Sequence, residues 1–414
     1  MSTAFSTALS ALNADSTAID VVGNNLANLN TTGFKASTVE FSSLIAEELG
    51  AGSGNGQVGL GVGQVTAVQN FAQGSIATVT TGGALDAAIQ GSGFFVVTDS
   101  NNAQLYTRDG SFQLNADGVL QTATGQNVQG WMATNGVVTP DGPTTNITVP
   151  VGSTIAPTAT ANMSMTVNLN SATAVNGTFS APIQVYDSLG QAHTLTVTYT
   201  ETAPGAWSYA VTIPAADLTA GGNTTVASGD LTFGPNGQLT DPAAGAPIAI
   251  AVAGLADGAN DMNINWNLYN SSGTPEITQY AEASSVANPT QDGFAPGELT
   301  QVSIQNGGIV VANYANGQQV TLAQLAVASV ANPSSMLQVG NNNLEASAAT
   351  SQASLGASGT GGNGTIQGSS LEASNTDMAA EFTNLLTYER SYQAASRVIT
   401  TADQLSQDTV NLIH

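Results

Sequence analysis

Both ends of the chain carry the apolar spacing of amphipathic helices. Near the N-terminus, alternating spacings of four and three residues are occupied by Phe5, Leu9, Leu12, Ser16, Ile19, Gly23 and Leu26. This spacing places all seven residues on one stripe of an α-helix. The polar segment 28–33, which ends in a glycine, predicts where the helix stops. We therefore predict an N-terminal helix that packs through this stripe.

The C-terminal segment shows a comparable seam, made of Leu371, Met378, Phe382, Leu385, Tyr392, Ile399, Val410 and Ile413. Ser374 or Asn375 can cap the start of this helix, because short polar side chains accept hydrogen bonds from the free backbone N–H groups. Neither helix has a partner close in sequence, and regular seams mark helix–helix contact. We expect the two helices to pair with each other, as a coiled-coil-like core, and with helices of other copies. The alternative is two ordinary helices on one globular core.

Between the helices, the chain alternates apolar and polar residues as β-strands do. Leu195, Val197 and Tyr199 alternate with threonines, and Trp207 and Tyr209 open another such run. Each run predicts a strand with one buried face, and Asn-Gly and Asp-Gly pairs between runs predict turns. The predicted fold class is multidomain α+β, with two mainly antiparallel β domains, the second inserted in the first.

The predicted domain bounds follow these patterns. Residues 1–30 and 371–414 form the terminal helical core, and 31–75 and 341–370 form a Gly/Ser-rich extended linker. Residues 76–150 and 286–340 form the first β domain, and 151–285 form the inserted outer domain. Two Gly/Ser-rich stretches, 50–63 and 356–370, have the composition of flexible or irregular extended chain. Their symmetrical placement predicts a chain that returns beside its own start.

The charge balance narrows the possible partners. The chain has 28 acidic and 4 basic residues, for a net charge of -24. Nucleic-acid binding needs clustered lysines and arginines to neutralise phosphates, so it is not expected. The four cations are Lys35, Arg108, Arg390 and Arg397, and we expect Arg108 to pair with its neighbour Asp109. Apolar packing and neutral hydrogen bonds must therefore dominate self-association.

Segments that direct a chain to membranes are not evident in the sequence. No run of eighteen or more apolar residues occurs, so no membrane insertion is expected. The N-terminus lacks the basic residues that open a signal peptide. There are no cysteines, which excludes disulfides and thiolate metal sites. These features indicate a cytosolic protein or one exported by an unusual route.

Candidate chemistry is sparse. Asp187, Ser188 and His193 could be imagined as a catalytic set, but Asp187–Gly190 lies between two strand patterns and predicts a hairpin turn. A catalytic triad needs side chains that converge from different elements around an oxyanion site. Asp261 opens a calcium-loop-like spacing that lacks the glycine and glutamate of such loops. We predict no enzymatic activity, no cofactor and no metal site.

Several sets of residues form a recognisable series along the chain. The N-terminal motif consists of Asn24, Asn25, Asn28, Thr32, Gly33, Phe34 and Lys35. The C-terminal motifs are Leu371–Asp377 and Tyr388–Gln393, and the first β domain carries Gly93–Val97, Tyr106–Phe112 and Val128–Trp131. Together they resemble the bacterial flagellar rod and hook proteins, in the order expected for that family. Val185–Gly190, followed by His193, resembles the outer domain of the family's hook subunits.

The resemblance implies a structural subunit of a curved, flexible extracellular tube that transmits torque from rod to filament. It implies export through the flagellar type III apparatus without a cleaved signal peptide. The implied partners are further copies in a homopolymer, the flagellar rod, the hook cap and the hook–filament junction proteins. The alternatives are a distal rod or other axial component, or, in a different class, a secreted acidic β-rich adhesin.

Two physical expectations follow from a bent, rotating polymer. Isolated helices with few large apolar residues are marginally stable in water, so both ends should be mostly disordered in the free subunit and fold on assembly. Each subunit must also lengthen and shorten during rotation, and we take Gly52, Gly54 and Gly56 as hinge candidates because of their flexibility.

Overall fold

The computed structural model describes residues 2–44, 47–48 and 57–411 and divides into two compact units. The first unit contains the described residues of 1–151, 301–313 and 319–414. The second unit contains residues 152–300 and 314–318. The hinge candidates Gly52, Gly54 and Gly56 lie outside the described residues, as does Ile413 of the predicted C-terminal seam.

Both terminal helices are present in the first unit. Helix α1 spans Ser2–Ala27 and helix α2 spans Met378–Asn411. Helix α1 ends before a turn in which Gly33 adopts a left-handed φ of 67°, as the glycine-containing stop predicts. No described helix is long and apolar enough to cross a membrane.

The start of α2 differs from the prediction. Asp377 caps the helix, because its Oδ1 accepts hydrogen bonds from the backbone N–H groups of Ala379 at 2.9 Å and Ala380 at 3.2 Å. Leu371 is not helical but lies in a strand. The predicted caps Ser374 and Asn375 are therefore wrong, and Leu371 is not part of the helical seam, because α2 begins at Met378.

The first unit is otherwise built of short strands. They are β1 (Ser37–Glu40), β2 (Glu47–Glu48), β3 (Gln57–Val58), β4 (Thr66–Gln69), β5 (Ile76–Thr78), β6 (Ala87–Gln90), β7 (Phe94–Thr98), β8 (Gln104–Thr107), β9 (Phe112–Leu114), β10 (Leu120–Thr122), β11 (Asn127–Met132) and β12 (Thr145–Asn146). The antiparallel neighbours β11, β7 and β8 form the middle of its main sheet. Their buried side chains include Phe94, Val96, Tyr106 and Trp131.

The second unit contains two five-stranded sheets. Its strands are β13 (Thr154–Ile155), β14 (Asn162–Asn170), β15 (Thr178–Tyr186), β16 (Ala192–Ala203), β17 (Ala206–Thr212), β18 (Thr225–Phe233), β19 (Leu239–Asp241), β20 (Ile248–Val252), β21 (Met262–Asn267), β22 (Ile277–Tyr280) and β23 (Ser285–Gln291). One sheet has the antiparallel order β15-β16-β17-β18-β19. The other has the order β20-β21-β14-β22, with β23 also paired to β14. In this second sheet, β14 runs parallel to β21 and β22.

The predicted strand alternation is confirmed in the second unit. The residues of β17 alternate between half-buried and buried, and those of β21 alternate in the same way between exposed and buried positions. Trp207, Tyr199 and Trp266 are fully buried in one core formed by both sheets. Tyr209 meets Trp266 edge to face, with ring centroids 5.4 Å apart, the geometry that aromatic pairs favour.

The chain then returns through the first unit. Strand β24 (Gly297–Gln305) begins in the second unit and ends in the first. The remaining strands are β25 (Ile309–Tyr314), β26 (Gln319–Leu325), β27 (Val327–Ser329), β28 (Leu337–Gly340), β29 (Asn343–Glu345), β30 (Ser354–Gly356), β31 (Thr365–Gly368) and β32 (Ser370–Glu372). Strand β31 pairs antiparallel with β6, and β32 pairs antiparallel with β5. The predicted return of the chain beside its own start is thus confirmed, although part of the expected irregular linker is regular strand.

Candidate self-assembly site

The two terminal helices pack against each other in the first unit. The described buried positions along α1 carry alanine, valine or polar side chains: Ala8, Ala14, Asp15, Ala18, Val22 and Asn25. Five of them, at positions 8, 15, 18, 22 and 25, repeat at helical spacing one residue before the predicted stripe. Small side chains let a helix approach its neighbours closely. The intramolecular contact therefore uses a face adjacent to the one that the large apolar residues indicated.

The predicted stripe of α1 is only partly covered within the chain. Phe5 is 45% exposed and Leu9 is 43% exposed. Leu12, Ile19 and Leu26 are half-buried. A folded chain rarely leaves aromatic and large aliphatic side chains grouped on its surface unless they contact something else.

The predicted seam of α2 is more exposed still. Met378, Phe382, Tyr392 and Val410 are exposed, and Leu385 and Ile399 are half-buried. Further exposed apolar residues on the same helix are Leu386, Val398 and Leu405. Among the described residues of α2, Ala395 is the one classed as buried. The helix thus presents most of its large apolar side chains to solvent.

The N-terminal motif holds α1 to the segments beside it. Asn25 is fully buried, and its Nδ2 donates to the carbonyl of Ser37 at 2.8 Å and to Oε1 of Glu381 at 3.1 Å. Its Oδ1 accepts a hydrogen bond from the Ser37 N–H at 2.9 Å. One amide side chain therefore joins α1, β1 and the first turn of α2.

The turn after α1 is fixed by the rest of the motif. Asn28 donates through Nδ2 to the carbonyl of Asn24 at 2.9 Å. The carbonyl of Thr32 accepts from Nδ2 of Asn342 at 2.8 Å, and Asn375 donates its backbone N–H to the carbonyl of Phe34 at 3.3 Å. The contacts of Thr32 and Phe34 tie the outgoing chain to two segments that come more than three hundred residues later.

Gly33 occupies a position that excludes other residues. Its backbone is left-handed, and a Cβ atom built there would lie 2.5 Å from the backbone carbonyl of Arg108. Its N–H donates to the carbonyl of Glu372 at 2.7 Å. A side chain would therefore be strained by φ and would also collide with the neighbouring backbone.

A buried ion cluster lies below the motif. Nζ of Lys35 is 2.6 Å from Oε1 of Glu372, and Nη1 of Arg108 is 3.1 Å from Oε2 of the same carboxylate. Nζ of Lys35 also donates to the carbonyl of Ala72 at 2.8 Å, and Arg108 donates to the carbonyl of Gly91 at 2.7 Å. Burial lowers the pKa of Lys35 and of Arg108, and their contacts with Glu372 oppose that shift.

The ion cluster corrects one prediction about the cations. Arg108 pairs with Glu372 rather than with Asp109, whose Oδ1 instead accepts from the backbone and side chain of Ser111. Within the described part of the chain, Arg390 and Arg397 form no ion pair, and both are exposed on α2. Two of the four cations are thus used inside the fold, and two remain available on the helix.

Sequence patterns did not reveal the roles of Glu372, Asn375 and Glu381. Glu372 and Asn375 belong to a motif recognised by resemblance, but nothing in their spacing shows what they contact. In the second unit, the Asp187–Gly190 turn is confirmed, with Gly190 at a φ of 84°. Ser188 Oγ accepts from the Asn260 N–H at 3.0 Å, and both ring nitrogens of His193 face aspartates. This arrangement does not pair a serine with a histidine base.

Comparisons with known proteins agree with this layout. Residues 5–35 match the flagella basal body rod protein family, and 88–170 match the flagellar hook protein FlgE/F/G D1 domain. Residues 176–294 match the flagellar basal body protein FlaE D2 domain, and 367–412 match the flagellar basal body rod FlgEFG protein C-terminal family. The flagellar hook protein FlgE of Escherichia coli (strain K12) is 34% identical over 423 residues, which cover 99% of this chain and 100% of that protein.

The chain belongs to the flagellar hook protein FlgE family. The FlgE protein of Salmonella typhimurium (strain LT2) is 35% identical over 427 residues, with 99% of each chain covered. A solved Helicobacter pylori flagellar hook protein FlgE2 aligns with a TM-score of 0.49 and 13% identity, over 65% of this chain and 93% of that one. The two terminal matches coincide with the helices and the terminal motifs described above, so the helix pair lies in the parts of the chain that the flagellar axial families share.

Proposed function

We propose that this chain is a structural subunit of the bacterial flagellar hook, which self-assembles into a curved, flexible tube that transmits torque from rod to filament. The observation that carries the proposal is the exposed apolar surface of α1 and α2. In a chain of the FlgE family, two adjacent helices leave large side chains such as Phe5, Phe382 and Leu405 in solvent. Surfaces of this kind mark contact sites.

Different faces of the helix pair would serve two kinds of contact, one within the subunit and one between subunits. The small buried stripe of α1, which includes Ala8 and Ala18, serves the packing within one subunit. The exposed stripe remains for helices of neighbouring copies, which would bury it. Full burial of one large apolar side chain contributes about 1.5–3 kcal/mol. A set of such residues on each subunit therefore supplies a large association energy, although the chain has few charges for salt bridges.

The proposed partners follow from the same role. Copies of the chain would form a homopolymer, with the rod at one end and the hook cap or the hook–filament junction proteins at the other. Export through the type III apparatus without a cleaved signal peptide would place the polymer outside the cell. The predicted nesting of the outer β domain within the first agrees with a second unit contributed mainly by the continuous segment 152–300.

The decisive experiment polymerises the purified full chain and images it by electron microscopy. We expect curved tubes from the unmodified chain. The double variant Leu386→Ser with Leu405→Ser should raise the critical concentration for assembly at least about tenfold. Each subunit loses two exposed apolar side chains, so each pair of contacting subunits buries less apolar surface. The matched control is Asn384→Ser with Gln404→Ser, which changes exposed polar residues of the same helix.

Several results would contradict the proposal. Straight rods from the unmodified chain would favour a distal rod component. Equal critical concentrations for the two double variants would show that the exposed α2 face is not the contact. A chain that stays monomeric at high concentration, and still binds a surface after residues 371–414 are removed, would favour an adhesin.

We also propose that the helices gain order on assembly. Their exposed apolar stripes and the single buried residue of α2 indicate marginal stability in a free subunit. Amide exchange over residues 4–27 should slow strongly between monomer and polymer. Equal protection in both states would overturn this idea.

The glycines Gly52, Gly54 and Gly56 remain proposed hinges on the basis of their sequence. Gly54→Pro should stiffen the segment and straighten the tube, whereas unchanged curvature would exclude the hinge role.

A further inference from the structure

One buried histidine in the second unit is surrounded by aspartates. His193 lies on β16, and its Nε2 is 3.1 Å from Oδ2 of Asp187 and 3.8 Å from Oδ2 of Asp257. Its Nδ1 is 3.1 Å from Oδ2 of Asp217. The aspartates come from three separate places: the turn after β15, the 3-10 helix Ala215–Asp217 and the loop after β20. The imidazole and the three aspartates around it therefore come from four separate segments of this unit.

The geometry around Nε2 is that of a ligand set. One oxygen or nitrogen atom from each of Asp187, His193 and Asp257 can be chosen so that all three lie within 4.8 Å of one another. Zinc bonds to nitrogen and oxygen measure about 2.0–2.2 Å, so ligand atoms of a tetrahedral site lie about 3.3 Å apart. The observed distances from Nε2, 3.1 and 3.8 Å, bracket that separation.

Asp187 is held so that one oxygen points at the histidine. Its Oδ1 accepts hydrogen bonds from the backbone N–H groups of Leu189 at 2.8 Å and Gln191 at 2.9 Å. These bonds belong to the hairpin turn itself, so the carboxylate cannot rotate without disrupting the turn. Its Oδ2 is left facing Nε2. The sequence of the turn thus builds one rigid ligand.

Asp217 lies where a metal-binding histidine usually has its orienting carboxylate, because its Oδ2 is 3.1 Å from Nδ1. Metal-binding histidines usually donate their second ring N–H to a carboxylate, which fixes the tautomer and raises the basicity of the other nitrogen. A proton on Nδ1 directed at Asp217 leaves the lone pair of Nε2 facing Asp187 and Asp257. The acceptor on the far side of the ring is therefore already in place.

Charge also favours a cation here. Oδ2 of Asp187 and Oδ2 of Asp257 lie 3.1 and 3.8 Å from the same Nε2 atom, and no Lys or Arg forms an ion pair with either carboxylate among the described residues. Two carboxylates grouped around one atom repel each other, and a positive charge between them reduces that repulsion. A metal ion bound at Nε2 would supply that charge.

We propose that Asp187, His193 and Asp257 bind a divalent transition-metal ion, with Asp217 orienting the imidazole. A mixed imidazole and carboxylate set suits Zn²⁺ and Co²⁺, whereas Ca²⁺ and Mg²⁺ prefer sites made of oxygen alone. Asp187 and His193 are buried, but the side chain of Asp257 is 28% exposed, which gives an ion access and leaves a position for water. The bound ion would link the Asp187–Gly190 turn, β16 and the loop between β20 and β21.

The test uses the full chain, stripped of metal with a chelator and titrated with Co²⁺ as a spectroscopic probe. We expect one equivalent to produce the visible absorption of a low-coordinate Co²⁺ site, and one equivalent of Zn²⁺ to abolish it. Zn²⁺ should also raise the unfolding temperature of the second unit. Mg²⁺ in the same range should produce neither effect.

Variants separate this site from adventitious binding by an acidic chain. Asp257→Asn should weaken Co²⁺ and Zn²⁺ affinity at least about tenfold, and Asp217→Ala about 10–100-fold through loss of the orienting carboxylate. The control Glu282→Gln removes one exposed negative charge elsewhere in the same unit and should leave affinity unchanged. His414→Asn removes the other histidine of the chain and should also have no effect.

Three outcomes would overturn the proposal. They are the absence of a saturable Co²⁺ spectrum, equal weakening by Asp257→Asn and Glu282→Gln, and loss of the spectrum in His414→Asn. Each would mean that Asp187, His193 and Asp257 do not form the metal site.

Discussion

The second unit and the terminal helices place their large apolar side chains in opposite ways. Trp207 and Trp266 are 0% exposed between two sheets, whereas Leu405 on α2 is 56% exposed. Both regions contain large hydrophobic residues, but only the second unit buries them within one chain. The second unit therefore carries its own stabilising core, whereas the helices leave much of their apolar surface in solvent within one chain.

The largest expected effect tests the core of the second unit. Trp266→Ala should reduce the free energy of unfolding of this unit by about 3–5 kcal/mol, because it removes a fully buried ring that also contacts Tyr209. Native-state hydrogen exchange on peptides from β14 to β22 measures this change. Tyr280→Ala, at a 46% exposed position of the same unit, should change it by less than about 0.5 kcal/mol. Similar losses of stability in the two variants would contradict the prediction that the buried core, and not the exposed surface, stabilises this unit.

A second prediction concerns the ion cluster of the first unit. Glu372→Gln should lower the unfolding free energy of that unit by about 3 kcal/mol, because Lys35 and Arg108 would stay buried without a negative charge. Exchange in β5 and β32 should accelerate while exchange in the second unit stays constant. Glu345→Gln, at an exposed position, is the matched control. A neutral result for Glu372→Gln would mean that water or rearrangement compensates the two cations.

Two glycines of the first unit should respond in opposite directions. Gly33→Ala should destabilise the turn after α1 by about 1–3 kcal/mol, since alanine is strained at positive φ and its Cβ would meet the Arg108 carbonyl. Gly23 lies within α1 and has open space around its Cα, so Gly23→Ala should stabilise the helix by about 0.5–1 kcal/mol. Circular dichroism during urea unfolding compares them. Effects of the same sign would refute this assignment.

The smallest effect concerns Glu381 at the start of α2. Burial raises the pKa of this carboxyl, Asp377 adds to the shift, and the hydrogen bond from Asn25 opposes it. The folded chain therefore holds this proton more tightly than the unfolded chain, so protonation of Glu381 favours the folded state. This stabilisation is lost as the pH rises through the raised pKa. Glu381→Gln keeps an acceptor for Asn25 but cannot ionise. At pH 7 the variant should be as stable as the unmodified chain or slightly more stable. A clear loss of stability would contradict the predicted direction of the pKa shift.

The sequence predicted local structure better than long-range contacts. The alternation around Trp207 and the stop at Gly33 rest on neighbouring residues, and both were predicted correctly. The buried stripe of α1 lies one residue before the predicted stripe. The prediction followed large side chains such as Ile19, which are more hydrophobic than alanines such as Ala18. Apolar periodicity follows the large residues even where the buried face of the helix is made of smaller ones.

The ion cluster could not be predicted for a different reason. Glu372 lies 337 residues from Lys35 and 264 residues from Arg108 along the chain. Nothing in local spacing indicates which distant cation a carboxylate meets, so Asp109 was the natural but incorrect partner for Arg108. The partner becomes visible only when β32 pairs with β5 and brings Glu372 beside the outgoing chain.

The pairing of β5 with β32 and of β6 with β31 has a mechanical consequence. The two covalent connections between the terminal helices and the main sheet of the first unit run side by side, joined by rows of backbone hydrogen bonds. A twisting load applied to the helices is shared by both connections, and several bonds must shear together before either strand lengthens. The strap formed by these four strands should therefore resist torsion far better than a single extended chain.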